Sequence, residues 1–206
     1  MKLESFVVGA LQNNCYLVAD EVSGRAAVID PGLESEPVLE AVRAAGLTLE
    51  YVILTHAHFD HVSGCELFAG VPIVMHPDDL PLLQKVPETA RFFGYTVAPP
   101  PMPARLVREG ETIEVGNVRL RVLDTPGHTP GGISLAAAEA VFVGDTLFAG
   151  SIGRTDLAGG SYETLLRSIR GKLLGLPDAT AVYPGHGPAT TIGEERRDNP
   201  FLRQEA

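Results

Sequence analysis

Thr55-His56-Ala57-His58-Phe59-Asp60-His61 follows directly on the apolar run Tyr51-Val52-Ile53-Leu54 and packs three histidines and an aspartate into seven residues. Imidazole and carboxylate side chains suit zinc, iron or manganese. A purification tag would match the density, but tags sit at termini and this stretch is internal. An ordinary polar loop has no reason to concentrate histidine in this way. The stretch reads as part of a metal site at the end of a buried strand.

Working outward, further ligands should arrive at the ends of other core strands. Residues 119–123 (RLRVL) run into Asp124-Thr125-Pro126-Gly127-His128, residues 140–143 (AVFV) into Gly144-Asp145, and residues 181–183 (AVY) into Pro184-Gly185-His186. Turn residues after buried strands put side chains on one rim of a sheet, where sites are commonly built. Five of the six histidines occupy such positions. His76, ending VPIVMH before Pro77-Asp78-Asp79, follows an apolar run too, but reads as a satisfied histidine at the rim or in a surface loop. Asp30, closing AVID before Pro31-Gly32, reads as a brace that hydrogen-bonds the site without touching metal, and Asp124 takes the same reading.

Taken in order, residues 55–61 (THAHFDH), Pro126-Gly127-His128-Thr129-Pro130-Gly131, Gly144-Asp145-Thr146-Leu147-Phe148 and Pro184-Gly185-His186-Gly187 resemble the motif series of the metallo-β-lactamase superfamily. Within it the chain is most similar to the short, single-domain glyoxalase II-like (hydroxyacylglutathione hydrolase) group. Gly153-Arg154-Thr155-Asp156, Gly159-Gly160-Ser161, and Gly193-Glu194-Glu195-Arg196 leading to Asn199-Pro200-Phe201-Leu202 carry that likeness. The resemblance implies an α/β fold, a four-layer αββα sandwich, as a single domain over residues 1–206. It also implies two divalent metal ions per chain, zinc first and iron or manganese as alternatives. His56, His58 and His128 would hold one ion, Asp60, His61 and His186 the other, and Asp145 would bridge them.

Elementary electrostatics agrees with that division. Two ions held close together need a shared anion to offset their repulsion, and Asp145 is the carboxylate placed for it. A water bridging them has its pKa lowered towards neutrality, and Asp60 can hold and orient the resulting hydroxide as a catalytic residue. A structural zinc needs only four ligands, so seven candidates without a cysteine point to catalysis. The expected reaction is attack of that hydroxide on an acyl carbon, with the metals stabilising the oxyanion. A thioester suits it, because a thiol of pKa about 8.5 leaves without a strong general acid. The best-known β-lactamases are similar but use a cysteine at the second metal, which disfavours β-lactams here. The expected activity is hydrolysis of a small-molecule thioester of the hydroxyacylglutathione type.

Substrate recognition is where the chain departs from the family pattern. Full-length glyoxalase II enzymes carry a C-terminal helical domain with glutathione contacts, and this chain reaches Ala206 just after Leu202, so that domain is expected to be absent. The family's aromatic hydroxyl after the last histidine is replaced by Gly187-Pro188. Arg154 can anchor a substrate carboxylate as a bidentate donor or pair with Asp156, and composition weighs the two equally. A second reading is a persulfide dioxygenase of the same superfamily, which resembles the chain in its His-x-His-x-Asp-His and Gly-Arg-Thr-Asp elements. It would use one iron on His56, His58 and His128, and ligand types alone admit it. A nuclease is disfavoured by 16 Lys plus Arg against 26 Asp plus Glu, a formal net charge of −10, so no nucleic-acid partner is expected. A non-catalytic metal module similar to the flavo-diiron proteins would place an acidic residue where His58 stands.

The remaining composition is that of an ordinary globular enzyme, 45% hydrophobic and 20% charged. No apolar run approaches the length of a membrane span and no secretory signal is evident, so a cytoplasmic protein without a membrane partner is expected. Cys15 and Cys65 give no disulfide framework, and Cys65 reads as a small buried side chain. Residues 36–45 have helical spacing and stop at Gly46, and a helix is expected to start after His61. Residues 162–174 predict an amphipathic helix with Leu165, Leu166, Ile169 and Leu173 on one stripe, and Thr191 with Glu194 a capping box. The proline-rich stretch 97–103 (VAPPPMP), after Phe92-Phe93-Gly94-Tyr95, reads as a stiff connector packed down by aromatics rather than as a lid.

Overall fold

The chain is described by a computed structural model over residues 1–203; the last three residues of the expected 1–206 domain lie outside the described residues. Strands β1 (Lys2–Val8), β2 (Asn13–Ala19), β3 (Arg25–Ile29), β4 (Thr48–Ile53), β5 (Ile73–Met75) and β6 (Arg105–Leu106) form one sheet in that order. Pairing is antiparallel from β1 to β3 and parallel from β3 to β6. The later strands are β7 (Thr112–Val115), β8 (Val118–Asp124), β9 (Ile133–Ala136), β10 (Ala140–Gly144), a small ribbon of β11 (Leu147–Phe148) and β12 (Ser151–Ile152), then β13 (Ala181–Pro184) and β14 (Thr190–Thr191). The second sheet runs β14-β13-β10-β9-β8-β7, with β10 and β13 parallel and the other neighbours antiparallel.

Alternation along the strands divides the apolar residues among three cores. On β2, wholly buried, Tyr16 and Val18 face the second sheet, where they meet Ile113, Leu120, Leu135 and Phe142. Cys15, Leu17 and Ala19 face the other way, towards α1 (Glu36–Ala44), α2 (Phe59–Val62), α3 (Leu80–Gln84) and α4 (Val86–Phe92). On β10, Phe142 points inward while Val141 and Val143 meet α5 (Tyr162–Ser168) and α6 (Ile192–Asp198) through Leu165 and Ile192. Helices, sheet, sheet and helices make the expected αββα sandwich, since a sheet apolar on both faces must be covered on both. Phe142 stacks on Tyr183 with ring centroids 5.3 Å apart, and truncating so buried a ring would cost about 3–5 kcal/mol.

Local signals account for most helix ends. α1 stops before Gly46, whose φ of +61° suits glycine, and α6 opens on the capping box of Thr191 and Glu194. α5 continues into a π turn at Ile169–Leu173 that keeps Leu165, Ile169 and Leu173 buried. One expectation is corrected: the helix near the histidine stretch begins at Phe59, not after His61. His58 is its extended N-cap, and Asp60 and His61 lie inside its single turn. Residues 97–103 form no regular element, while Tyr95 packs on Phe59 at 5.3 Å and with Val97 covers the outer core. No helix of the described residues is long and apolar enough to cross a membrane.

The topology gathers the strand ends that matter. β3 and β4 are parallel, β10 and β13 are parallel, and two antiparallel steps make β8 run with β10. The loops leaving β8, β10 and β13 therefore open on one edge of the second sheet. That edge is tied to β2 of the first sheet: Tyr16 Oη donates to the Pro184 carbonyl at 2.6 Å, and Asn14 Nδ2 donates to the Pro184 and Gly187 carbonyls.

Candidate metal centre

At this edge the structure brings together all seven residues expected to bind metal. One group is His56, His58 and His128, and another is Asp60, His61 and His186, each with potential donor atoms within 4.8 Å of one another. Nε2 of His61 lies 3.3 Å from Nε2 of His186 and 3.7 Å from Oδ2 of Asp60, and Asp60 Oδ2 lies 3.1 Å from His186 Nε2. Ligand atoms around a tetrahedral ion with bonds of about 2.0–2.1 Å stand roughly 3.3 Å apart, so this spacing suits one ion. Asp145 lies between the groups, with Oδ1 3.4 Å from His61 Nε2 and Oδ2 3.5 Å from His128 Nε2.

The imidazoles are oriented by what their other nitrogen touches. Nδ1 of His128 donates to the Arg154 carbonyl at 2.7 Å, and Nδ1 of His186 to the Gln12 carbonyl at 3.2 Å. Nδ1 of His61 donates to Asp30 Oδ2 at 3.0 Å. Thr55 Oγ1 donates its one hydrogen bond to Asp30 at 2.6 Å, so towards Nδ1 of His56, 3.1 Å away, it is the acceptor. In all four rings Nε2 is then the nitrogen turned towards the cluster. Such partners fix the tautomer of metal-binding histidines and raise their basicity. His56 Nε2 is buried with no hydrogen-bond partner, as is Asp145 Oδ1. Two orphaned buried polar atoms in an imidazole and carboxylate cluster are what a metal ion would satisfy.

Charge follows the same pattern. Burial, reinforced by the neighbouring His128, pushes His58 down to about 4, and burial lowers His56 as well, so both are neutral and able to ligate. Burial alone would lower His61 and raise Asp145, but their mutual attraction outweighs it: His61 is raised and Asp145 is held below the ordinary carboxylate range.

The braces are partly those read from the sequence. Asp30 adopts φ +53° at the end of β3 and also accepts the Thr55 backbone N–H, so its carboxylate is occupied as a brace. Asp124 is not one: its Oδ2 stands 3.7 Å from Nε2 of His76, and its buried Oδ1 has no hydrogen-bond partner. His76 is buried and accepts the Asp78 N–H at Nδ1, at the start of a short 3₁₀ turn, but it is not the satisfied histidine expected, because its buried Nε2 has no hydrogen-bond partner. The brace that sequence reading missed is Asp79, buried, which accepts from Ala57 N, Thr129 Oγ1 and Gly131 N at 2.6–2.9 Å. It locks the loop of His56 and His58 to the loop of His128; the doublet Asp78-Asp79 behind a strand end was its sole signal. Cys65 is buried and burial pushes its thiol up, away from thiolate chemistry.

Above the cluster opens a cleft of about 440 Å³ floored by His58, Asp60, His128, Asp145 and His186. Leu11, Phe59, Phe93, Phe148, Ile152 and Leu157 make its walls. Arg154 also lines it, and its guanidinium forms a two-pronged pair with Asp156, both contacts at 2.8 Å, holding that carboxyl down to about 2.

The chain is 41% identical over its full length, and over the full length of the relative, to a protein named hydroxyacylglutathione hydrolase GloC of Haemophilus influenzae. It is similar to the crystal structure of BLEG-1 B3 metallo-beta-lactamase, with TM-score 0.92 and 34% identity over 98% of this chain and 100% of that one. It is also similar to the crystal structure of TTHA1623 in a di-iron-bound form, with TM-score 0.88 and 41% identity over 97% and 100%. Residues 8–186 match the model of the metallo-beta-lactamase superfamily, and that span holds every residue of the cluster. Sandwich, strand-end cluster and family match agree: the chain belongs to the metallo-β-lactamase superfamily.

Proposed function

We propose that the chain is a metal-dependent hydrolase that cleaves a thioester. The observation that carries this reading is the set of four imidazoles whose Nδ1 atoms are engaged and whose Nε2 atoms turn onto two adjoining groups, with the Asp145 carboxylate between them. The name of the Haemophilus relative supports the acyl-thioester class. Bound to these groups, two divalent ions, zinc first, would supply Lewis acidity, making water a nucleophile near neutral pH and polarising an acyl carbonyl.

The chain's own residues do the rest. Asp60, at the floor of the cleft, accepts a hydrogen bond from the attacking water and orients it. Asp145 offsets the repulsion between two like-charged ions. The apolar walls flank the place where the reacting carbon would sit. Water adds to the acyl carbon and passes its proton to Asp60, the carbonyl pair moves onto oxygen and returns as the C–S bond breaks, and the sulfur departs with its electron pair as a thiolate that takes up the proton. The thiol's pKa of about 8.5 lets it leave as thiolate, which suits a site without a dedicated acid.

The test is metal content of the natively purified protein beside hydrolysis of S-lactoylglutathione and simpler thioesters. About two ions per chain with thioester turnover lost on chelation supports the reading. One iron per chain, no hydrolysis, and oxygen uptake with a persulfide would replace it with the dioxygenase.

A further inference from the structure

From the cleft walls we infer that the preferred substrate is an uncharged thioester with an apolar acyl or thiol group, and that Asp156 sets this preference by occupying Arg154. The inference rests on the thioester-hydrolase reading and specifies its substrate. Beyond the metal-facing floor, the cleft presents six apolar side chains, and rim residues Leu11 and Phe93 remain 42% and 39% exposed. Phe93 is held flat by Phe59, with ring centroids 5.7 Å apart and planes 26° from parallel. It is thus a preformed apolar face open to a ligand. Apolar lining with a few fixed polar groups is the design of a small-molecule site.

The thiol of a glutathione thioester brings two carboxylates, which need cations. Among the residues lining this cleft Arg154 is the one non-imidazole cation, and Asp156 engages its Nε–H and Nη2–H edge, the edge that a carboxylate would take two-pronged. The pair is solvent-exposed, with side chains 54% and 67% accessible, so a carboxylate must compete with a partner already in place. A neutral chain bearing several methylenes gains instead from the walls, each buried CH₂ strengthening binding by about fourfold.

The experiment pairs binding with turnover. The metal-loaded protein is titrated calorimetrically with non-hydrolysable thioethers, S-alkyl-N-acetylcysteamine and S-alkylglutathione, each carrying methyl to hexyl. The neutral hexyl compound should bind at least as tightly as the glutathione one, and affinity should climb with chain length. Leu11→Ser with Phe93→Ser should remove about tenfold of the hexyl affinity and none of the methyl. Asp156→Asn, freeing Arg154, should tighten the glutathione series severalfold and leave the neutral series unchanged. Tenfold tighter binding of the glutathione compounds by the unaltered protein, or affinity independent of chain length, overturns the inference. Turnover is read separately with the matching thioesters: binding as expected with no hydrolysis would refute the hydrolase reading and leave the specificity of the cleft standing.

Discussion

Oδ2 of Asp30 accepts two hydrogen bonds, from Nδ1 of His61 at 3.0 Å and from Thr55 Oγ1 at 2.6 Å. Through Thr55 it also decides which nitrogen His56 presents, so one buried carboxylate orients an imidazole in each ligand group. Asp30→Asn keeps the shape but offers a single acceptor oxygen. It should weaken metal binding by about 10–100-fold and destabilise the fold by about 1–3 kcal/mol. Competition with a chromophoric chelator measures the first and urea unfolding of the metal-free chain the second; unchanged affinity would show that Asp30 does not orient the rings.

Asp79 makes a different kind of prediction because it touches neither group directly. Its three accepted hydrogen bonds hold the backbone of Ala57 and of Gly131 and the hydroxyl of Thr129. Asp79→Ala leaves those donors buried without a partner, costing about 1–3 kcal/mol for each that finds no water. The histidine loops should then separate, so metal affinity falls together with stability. Asp79→Asn, which can still accept, should recover part of both. A variant with lost stability but undiminished metal affinity would contradict the coupling.

At the opposite end of the sandwich, Asp20 binds the turn at Ser23 to the hairpin at Asn117, accepting from both side chains and from backbone N–H groups. The Ser23 hydroxyl and the Asn117 N–H hold its carboxyl well below the ordinary range. A folded pKa below the unfolded value of about 3.9 means stability that is present above that value and lost as pH falls through it. The urea midpoint of the metal-free chain should therefore drop between about pH 5 and pH 2. Asp20→Asn should lower the midpoint at pH 7 and flatten that decline; an unaltered slope would remove Asp20 from the account.

Much of this molecule was legible in its order of residues, and the reasons differ by feature. Strand ends announce themselves because buried runs such as AVFV must stop at residues such as Gly144 that can turn. The convergence of His56, His128 and His186 is invisible locally, since it depends on β10 lying parallel to β13 and two steps from β8. Family resemblance supplied that topology; periodicity could not. Asp79 and Asp124 show the limit most clearly. Both follow an apolar strand, yet Asp79 faces the cluster and Asp124 faces His76. Which way a strand-end side chain turns depends on three-dimensional partners that no motif spells out. The backbone carbonyls of Gln12 and Arg154, which orient His186 and His128, leave no side-chain signature at all.

Gly185 links the metal to stability. It sits between His61 and Asp145, and a Cβ added there would collide with Asp145 Oδ1 and His61 Cε1. In the metal-free chain the clash should cost about 1–3 kcal/mol, the range for overfilled packing. The larger consequence lies in the metal-induced increment. Ions at 100 times their dissociation constant stabilise a folded chain by about 2.7 kcal/mol, and at this size each kcal/mol moves the melting temperature by about 2–4 °C. Zinc should therefore raise the melting temperature of the unaltered chain by roughly 5–10 °C for each ion bound. In Gly185→Ala the displaced carboxylate no longer faces both groups, and most of that shift should vanish. Scanning calorimetry of both proteins, with and without zinc, separates the two effects: an equal zinc shift in both would mean that Asp145 is not needed to hold the ions.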